Sequence, residues 1–357
     1  NHPVYIGQNN FDIIKYDYYR DSNVMIEALK AKEYDFRSEN ISKEWSTAYN
    51  NLKDNSSFIK EELDHELPQG MQAFVFNTRK EIFNNIHLRK ALSLAFDFEW
   101  TNKTLFYGQY IRSMSYFSNS NLASTGLPSQ EELSILNKYK DIIPSEVFST
   151  VYNPGLTDGS GNNRKNLLEA INILKNANYT LDDNTLKNTE GMEIKFEILL
   201  LSPAFERIVA PFIKNLNKLG VQANIRIVDT AQYKNRLDNY DFDMVVMSRG
   251  QSLNPGNEQR NYWSSQSADI NGSYNWIGIK NKAIDDLIEL IIQASDRNDL
   301  ILHTKVLDRI LLHSHYIIPH WHIKKWRLAY WKKLKRPKNI PKYNLGFPET
   351  WWYNSIK

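Results

Sequence analysis

Apolar positions recur with two different periods in one central stretch of the chain, and this stretch anchors the predicted fold. Residues 73–76 form a short apolar run, which is typical of a buried strand, and Asn77 follows as a turn. Apolar side chains then recur at helical spacing, which predicts a helix with one apolar face and with Asn84 or Asn85 as its N-cap. The apolar positions of this helix are Leu88, Ala91, Leu92, Ala95 and Phe96.

The beginning of the chain predicts a compact β-α-β pattern. Residues 11–19 read as a strand, Ser22 as the cap of a short helix over 23–30, and residues 34–36 as a second strand. Within that helix Val24, Ala28 and Leu29 are expected to point inward. The polar segment at 50–69 reads as helix-like and ends in Pro-Gln-Gly.

The residues that follow the strand at 34–36 are the first candidate binding residues. Ligands of open α/β sheets bind beyond the carboxyl ends of the strands. Arg37, Glu39 and Trp45 come directly after this strand. The alternative is a surface loop whose charges are solvated.

A second, longer alternation of strands and helices predicts a β-α-β-α-β lobe. Its strands are expected at 193–201, 221–227 and 242–247. Ser202 and Pro203 form a typical start for the first helix, and Gly220 is placed to end it. Asp229 with Gln232 resembles a capping box for the second helix, which extends through Leu237. Pro211 inside the first helix is expected to kink it.

The loop after the last of these strands is the second candidate binding region, by the same topological rule. It contains Arg249, Gly250, Gln251, Ser252 and Asn254. A guanidinium group can bind a carboxylate or a phosphate as a planar fork. The alternative for Arg249 is a surface arginine stacked on a neighbouring aromatic ring.

The remaining segments predict one irregular stretch and one pair of helices. Residues 112–125 lack a regular period, and a long irregular stretch of this kind is typically functional or disordered. Tyr116 and Phe117 within it are either cleft-lining aromatics or local core. Helices are predicted at 281–293 and 299–312, with a strand around Pro319 after them.

Composition excludes few classes of function. The chain has 357 residues, 41% hydrophobic and 24% charged, which is ordinary for two or three globular domains. The formal net charge of +3 argues neither for nor against nucleic acid. There is no cysteine, hence no disulfide framework and no thiol chemistry. No apolar run approaches the roughly 18 residues of a membrane helix.

Four histidines close to one another raise the question of a metal site. His313, His315, His320 and His322 fall within ten residues, but no carboxylate has matching spacing. Polar or stacked core histidines are therefore favoured over a zinc site, and we predict neither metal nor cofactor. Such a cluster could also titrate near neutral pH.

Two further patterns suggest other functions. Asp241 and Asp243 share one strand face, as the paired carboxylates of a hydrolase would, but no nucleophile or second base accompanies them. Lysines and arginines are interleaved with aromatic residues over 324–342, which in isolation suggests nucleic-acid or anionic-membrane contact. Such runs are usually the solvated faces of strands.

Several motifs resemble one family of binding proteins. The chain is similar to the peptide-carrying extracellular solute-binding proteins of ABC transporters (family 5), and most closely to their YejA-like branch. The motifs that carry this resemblance are LRKALSLAFDFEW from Leu88, SYFSNSNLASTGLPS from Ser115, GQSLNPGNEQR from Gly250, and the C-terminal GFPETWWYN. The last match outweighs the charge argument for nucleic acid.

The resemblance implies a fold and a function. It implies a type II periplasmic-binding-protein-like α/β fold with two lobes, the first only partly present: residues 1–72 and 317–357 belong to the first lobe and 73–316 to the second. An oligopeptide or peptide conjugate would bind between the lobes, with Trp45, Tyr107 and Trp263 as apolar walls. A membrane permease is the implied partner, the periplasm of a Gram-negative bacterium the implied location, and a companion chain could supply the absent part of the first lobe.

Two departures from the family pattern bear on the ligand. The family commonly has Trp where this chain has Arg249. Many peptide-binding members have an Asp near Ser252 that meets the amino terminus of the ligand, and this chain lacks it. Simple capture of a free peptide amino terminus is therefore in doubt.

Overall fold

The structure, a computed structural model, describes residues 3–52 and 55–354 and divides into two compact units. Unit 1 comprises the described residues up to 67, residues 106–109, and those from 323 onward. Unit 2 comprises residues 68–105 and 110–322. The correspondence of these units to the predicted lobes stays a prediction. No helix within the described ranges combines the length and the apolar character needed to cross a bilayer.

The regular structure of the described residues includes α-helices and short strands. The α-helices are α1 (Ser22–Lys30), α2 (Ser42–Thr47), α3 (Ile86–Leu94), α4 (Phe98–Leu105), α5 (Gln130–Leu136), α6 (Arg164–Asn176), α7 (Glu206–Asn217), α8 (Thr230–Asp238), α9 (Glu258–Trp263), α10 (Lys282–Ile292) and α11 (Arg297–His313). The strands are β1 (Phe36–Ser38), β2 (Phe58–Asp64), β3 (Met71–Phe76), β4 (Ile111–Arg112), β5 (Thr180–Asp182), β6 (Thr185–Lys187), β7 (Lys195–Leu200), β8 (Gln222–Ile227), β9 (Met244–Arg249), β10 (Ile317–Pro319), β11 (Trp321–His322), β12 (Lys325–Trp331), β13 (Leu334–Lys335) and β14 (Trp352–Tyr353).

Unit 2 is built on a five-stranded sheet with the strand order β10-β3-β9-β7-β8. β7 pairs in parallel with both β8 and β9, and α7 and α8 connect these strands, as the predicted β-α-β-α-β alternation requires. β3 joins β9 and β10 in antiparallel pairs. Its apolar run is buried on both faces, with Phe74 and Val75 both fully inaccessible to solvent. This explains why residues 73–76 of β3 are all apolar.

Local capping signals set several helix starts in the predicted way. The side chain of Asn85 accepts a hydrogen bond from the His87 N–H at 2.8 Å, and α3 begins at the next residue. Asp229 caps α8 by accepting from the Gln232 N–H at 2.9 Å. Pro211 lies inside α7, which continues through it to Asn217.

Unit 1 is organised by a three-stranded antiparallel sheet with the order β1-β12-β2. β12 is the central strand, and its aromatic side chains Tyr330 and Trp331 pack on opposite sides of it, in two separate apolar clusters. Trp331 donates its indole N–H to the carbonyl of Leu29 at 2.9 Å, which fastens α1 to the sheet. Unit 1 therefore joins segments from both ends of the described chain.

The predicted strand at 11–19 is wrong. These residues adopt no regular secondary structure, and the neighbouring α1 is capped by Asp21 rather than Ser22. Val24, predicted to face inward, is 58% exposed. A strand forms only where another strand pairs with it, and no described strand lies against this segment.

The predicted helix over 50–69 is also wrong, because this region contains β2. Residues 53 and 54 lie outside the described ranges. Ile59 pairs with Tyr330 and Leu63 with Trp326 across the ladder to β12. Charged residues between them favour a helix locally, but pairing with a distant strand overrides that preference.

Candidate functional site

The carboxyl end of β9 positions the best-defined candidate site, within unit 2. Arg249 is the last residue of β9 and lies opposite Met71 in the adjacent strand. Gly70 lies so close to the backbone of Arg249 that a β-carbon on it would be 1.7 Å from the Arg249 carbonyl oxygen. The position therefore requires glycine, since any side chain would displace the backbone that presents Arg249.

Aromatic rings enclose the guanidinium group of Arg249. Its central carbon lies 4.1 Å from the ring centroid of Trp276, 4.6 Å from that of Tyr274 and 5.8 Å from that of Tyr262. Such cation–π contacts hold the planar fork without neutralising it. Arg249 is only 8% exposed, so this is a buried cation in an aromatic cage.

The hydrogen bonds of Arg249 leave its charge uncompensated. It donates to the carbonyl oxygens of Ser248 at 3.2 Å and Tyr274 at 3.3 Å, both long contacts to neutral acceptors. Its Nε–H has no acceptor among the residues that the structure describes. Burial lowers the pKa of Arg249 to about 10, so the group stays protonated at neutral pH. A buried cation of this kind is suited to bind an anionic group.

The loop after Arg249 is held by side chains from the unit 2 core. Trp263 is fully buried and donates its indole N–H to Gln259 Oε1 at 3.0 Å. Gln259 in turn donates to Gln251 Oε1 at 2.8 Å. Trp263 thus contributes by positioning Gln251 through Gln259, and its ring belongs to the core.

The outer part of the loop is exposed and fastened to α11. Ser252 Oγ accepts from the Asn254 N–H at 3.1 Å, and Asn254 Oδ1 accepts from Arg297 at 3.1 Å. Gly250 is exposed, and nothing lies within 4 Å of the position that its β-carbon would occupy. The peptide groups around Gly250 are therefore open to approach by another molecule.

Tyr116 lies in the core of unit 2. It is fully buried and packs edge-on against Trp263 with 5.2 Å between the ring centroids. Burial raises the pKa of Tyr116 well above its ordinary value. This position favours the local-core interpretation of the irregular stretch.

Arg37, Glu39 and Trp45 belong to the interior of unit 1. Arg37 lies within β1, and its Nε donates to Glu39 Oε2 at 2.8 Å with both side chains buried. Trp45 donates to Glu62 Oε1 at 2.9 Å and packs in the cluster around Tyr49. Instead of lying in a solvated or ligand-facing loop, Arg37 and Glu39 form a buried ion pair and Trp45 packs in the core. A role of these residues in ligand binding stays a prediction.

Tyr107 is the candidate with the most accessible ring in unit 1. It is 49% exposed and has a positive φ of 58°, an uncommon conformation for a non-glycine residue. Its role as an apolar wall of the ligand site stays a prediction.

The four histidines are core residues. His320 is completely buried, stacks on Trp321 at 4.9 Å between centroids and meets Phe74 edge-on at 4.3 Å. His313 and His315 are both buried beside Tyr152. Across the described ranges no three His, Cys, Asp or Glu side chains converge as a metal site would require. The stacked-core interpretation describes their packing.

Titration of the cluster near neutral pH, one expectation from the sequence, is wrong for His313 and His315. Burial lowers their pKa values to about 4 and about 3. In the unfolded chain both titrate near 6.5. Between pH 6.5 and pH 4 the unfolded chain therefore binds protons that the folded chain excludes, and stability falls as the pH falls.

We expect the free energy of unfolding to decrease by about 2–3 kcal/mol from His313 alone between pH 7 and pH 4.5, at about 1.4 kcal/mol per pKa unit. Urea denaturation at the two pH values measures this loss. His313→Gln should show a shallower pH dependence, with His303→Gln, at a half-buried position, as the control. An unchanged pH dependence in His313→Gln would contradict the assignment.

Arg112 is a buried cation that sequence reasoning missed. It is 5% exposed and its guanidinium carbon lies 5.0 Å and 5.4 Å from the ring centroids of Phe96 and Phe98. None of its three side-chain nitrogens has a hydrogen-bond partner among the described residues. Arg89 is equally buried but donates to the carbonyls of Phe83, Asn84, Ser314 and His315. Only three-dimensional packing distinguishes the two arginines.

This contrast predicts opposite effects of the same substitution. Arg89→Met should lower the free energy of unfolding by about 2–3 kcal/mol, because several buried carbonyls lose their donors. Arg112→Met should leave it unchanged or raise it by about 1 kcal/mol, because it removes an unpaired buried charge. Chemical denaturation measures both. Equal losses in the two variants would show that Arg112 has a polar partner in solution.

The carboxylates of the alternative hydrolase are used structurally. Asp243 accepts from the Glu197 N–H at 2.9 Å and lies 3.8 Å from the Lys80 ammonium. Asp241 forms an ion pair with Arg236 at 3.2 Å. Each carboxylate has its own structural partner.

Comparison with known protein families shows to which family the chain belongs. The model of the bacterial extracellular solute-binding proteins, family 5, matches residues 1–271. The chain belongs to this family. Its curated relatives include the probable peptide-binding protein YejA of Agrobacterium fabrum, 43% identical over 98% of this chain, and the uncharacterized protein YejA of Escherichia coli, 39% identical over 100%. The resemblance to YejA-like members is thereby confirmed.

The chain spans 58% of the length of the Agrobacterium fabrum YejA relative and 59% of that of the Escherichia coli relative. A third relative, 36% identical over 98% of the chain, is the peptidoglycan-binding protein YepA of Agrobacterium fabrum, of which the chain spans 58%. The two Agrobacterium fabrum proteins are named for binding, and the Escherichia coli protein is named as uncharacterized.

Solved structures show the same fold. The oligopeptide-binding protein AppA of Bacillus subtilis, in complex with a nonapeptide, aligns with 95% of the chain and 60% of its own, with a TM-score of 0.68 and 19% identity. The periplasmic binding protein DppA of Helicobacter pylori, in complex with the peptide STSA, aligns with 94% and 56%, with a TM-score of 0.65 and 16% identity. The predicted α/β periplasmic-binding-protein fold class is confirmed.

Proposed function

We propose that this chain is part of the solute-binding component of an ABC importer. It captures oligopeptides or peptide conjugates between two lobes and delivers them to a membrane permease, in the periplasm of a Gram-negative bacterium. Membership of family 5 carries this proposal. The relatives named as peptide-binding and peptidoglycan-binding support both classes of ligand, the peptide and the peptide–sugar conjugate.

Arg249 is the residue we propose for recognition of an anionic group on the solute. The caged guanidinium offers its charge without a carboxylate partner, so a C-terminal or side-chain carboxylate completes the pair. Because the cage fixes the fork in advance, little side-chain entropy is lost on binding. The lack of an Asp near Ser252 agrees with recognition of a negative rather than a positive end.

The exposed loop supplies the contacts that do not depend on ligand sequence. Peptide groups around Gly250, and the amide of Gln251 held by Gln259, can bond to a peptide backbone. Bridging water molecules cost little free energy in such sites, so ligand side chains of different size are tolerated. We propose no catalytic step and no cofactor. A companion chain that completes the first lobe remains a prediction of the resemblance.

Thermal unfolding with defined ligands tests the proposal. A pool of tri- to pentapeptides, or a peptide–sugar conjugate, at about 100 times the dissociation constant should stabilise the protein by about 2.7 kcal/mol. Free amino acids and oligosaccharides without peptide bonds serve as controls. Stabilisation by the sugars alone, or by none of these ligands, would contradict the proposal.

A further inference from the structure

Arg79 is a second arginine of unit 2 that binds main-chain carbonyls close to the candidate site. It lies shortly after the end of β3 and is half-buried. Its guanidinium group donates to the carbonyl oxygens of Asn275 at 2.9 Å and Trp276 at 3.1 Å, and also to that of Ala268. Because the guanidinium fork is planar and rigid, the three carbonyls bound to it are held in fixed positions relative to one another.

These carbonyls belong to the loop that supplies two of the three rings around Arg249. Residues 264–279, here called the cage loop, include Tyr274 and Trp276, whose ring centroids lie 4.6 Å and 4.1 Å from the Arg249 guanidinium carbon. The carbonyl of Trp276 therefore accepts from Arg79 while its ring contacts Arg249. The Tyr274 carbonyl in turn accepts a hydrogen bond from Arg249 at 3.3 Å. A shift of the cage loop would thus move both the rings and a hydrogen-bond acceptor of Arg249.

Arg79 is itself fixed in place by its surroundings. Its guanidinium carbon lies 3.7 Å from the ring centroid of Tyr240, and its Nη1 also donates to Asn77 Oδ1 at 3.2 Å. The buried Asn77 amide donates to the carbonyl oxygens of Tyr240 at 2.9 Å and Phe242 at 2.8 Å. Gly278 lies so close that a β-carbon on it would be 2.9 Å from Arg79 Nη1. The guanidinium group of Arg79 therefore has one defined position against the cage loop.

The two arginines are attached to opposite ends of the β3–β9 pair. Arg249 lies opposite Met71, the first residue of β3, whereas Arg79 comes after Phe76, its last residue. A strand of six residues is roughly 20 Å long. Arg79 therefore acts on the candidate site through the cage loop and not by contact with the ligand.

We infer that Arg79 is a positioning residue for the recognition of a ligand carboxylate by Arg249. Arg79 fixes the cage loop, the cage loop fixes the rings of Tyr274 and Trp276, and these rings hold the Arg249 fork in the orientation that a carboxylate meets. The inference rests on the proposed function of Arg249. It adds a residue that sets the preference for a free acid over an amide without touching the ligand.

The affinities of trialanine and of its C-terminal amide, measured by isothermal titration calorimetry, test this inference. The wild type should bind the acid more tightly, because only the acid offers a charged acceptor to Arg249. Arg79→Met should reduce the ratio of acid affinity to amide affinity about tenfold, since charge-assisted hydrogen bonds weaken when the fork and its acceptor lose their alignment. Arg79→Lys keeps the charge but lacks the fork, so it should give an intermediate ratio even where the methionine variant folds poorly.

Arg89→Met is the matched control. Arg89 also donates to several carbonyls of unit 2, but none of these carbonyls belongs to the cage loop. This variant should lose stability in chemical denaturation and keep the wild-type ratio, which separates positioning from a general effect on the fold. In an Arg249→Met background, Arg79→Met should change the affinity for trialanine less than about twofold, because the group that Arg79 positions is absent.

The possible results separate the inference from the proposed function. A wild type that binds the acid and the amide equally would overturn the role of Arg249, and the inference with it. A wild-type preference that both Arg79 variants retain would overturn the inference alone, as would a ratio that Arg89→Met lowers as much as Arg79→Met does. A further large loss of affinity in the double variant would contradict action through Arg249.

Discussion

Arg249→Met should weaken the binding of peptides with a free C-terminal carboxylate by about 30- to 150-fold. A hydrogen bond to a charged group contributes about 1.5–3 kcal/mol, and the upper part of that range applies to a buried, planar fork. Methionine retains most of the apolar volume in the cage of Tyr262, Tyr274 and Trp276, so the variant isolates the charge. Isothermal titration calorimetry measures the change.

Three controls make this result specific to Arg249. Amidation of the peptide C-terminus should reduce wild-type affinity and leave the affinity of Arg249→Met unchanged. Arg249→Lys should restore little, because an ammonium group lacks the fork. Arg226→Met, at an exposed ion pair with Glu197 elsewhere in unit 2, should bind like wild type. Unchanged affinity in Arg249→Met would remove Arg249 from the binding site.

Asp308→Ala should produce the largest loss of stability, about 4 kcal/mol. The carboxylate of Asp308 is completely buried and accepts from the Tyr116 N–H at 2.8 Å, the Ser124 N–H at 2.9 Å and the Ser124 hydroxyl at 2.7 Å. It thereby fastens the irregular stretch to α11. Alanine leaves two buried N–H groups without an acceptor, at about 1–3 kcal/mol each, and creates a cavity.

Chemical denaturation compares this variant with two others. Asp308→Asn keeps one acceptor oxygen and should lose less. Asp182→Ala removes an exposed partner of Lys187 and should change the free energy of unfolding by less than about 0.5 kcal/mol. A loss below about 1 kcal/mol for Asp308→Ala would show that the stretch does not depend on this carboxylate.

Elements with strong local signals could be predicted from the sequence. β3 was predictable because its residues 73–76, which are buried on both faces of the sheet, are all apolar. The starts of α3 and α8 were predictable because Asn85 and Asp229 cap them with their own side chains. Such signals involve residues a few positions apart, which the sequence displays directly.

Elements that depend on distant partners could not be predicted. β2 is a strand only because β12 pairs with it, more than 260 positions later, and its own charged residues favour a helix. The segment at 11–19 has an apolar pattern suited to a strand, but no described strand pairs with it. Pattern alone does not reveal whether a partner is present.

The candidate site likewise combines a feature that local sequence predicts with features that depend on distant residues. The loop after β9 could be selected from the sequence, because it follows a strand in the parallel part of the sheet and the carboxyl ends of such strands commonly face ligands; its role in binding stays a prediction. Its chemistry was only partly predictable. Trp276 and Tyr274 enclose Arg249 from positions 25 and more residues later, and Trp263 contributes through Gln259 rather than as a wall of the cleft. The buried environment of Arg112 left no trace in the sequence.

Native mass spectrometry of the protein as purified from a bacterial periplasm tests the central claim most directly. Denaturation after the native measurement releases and identifies whatever is bound. We predict a peptide or a peptide–sugar conjugate with a free carboxylate, retained by the wild type and lost from Arg249→Met. A ligand without peptide bonds, or an empty protein that mixed peptides also fail to stabilise, would contradict the account.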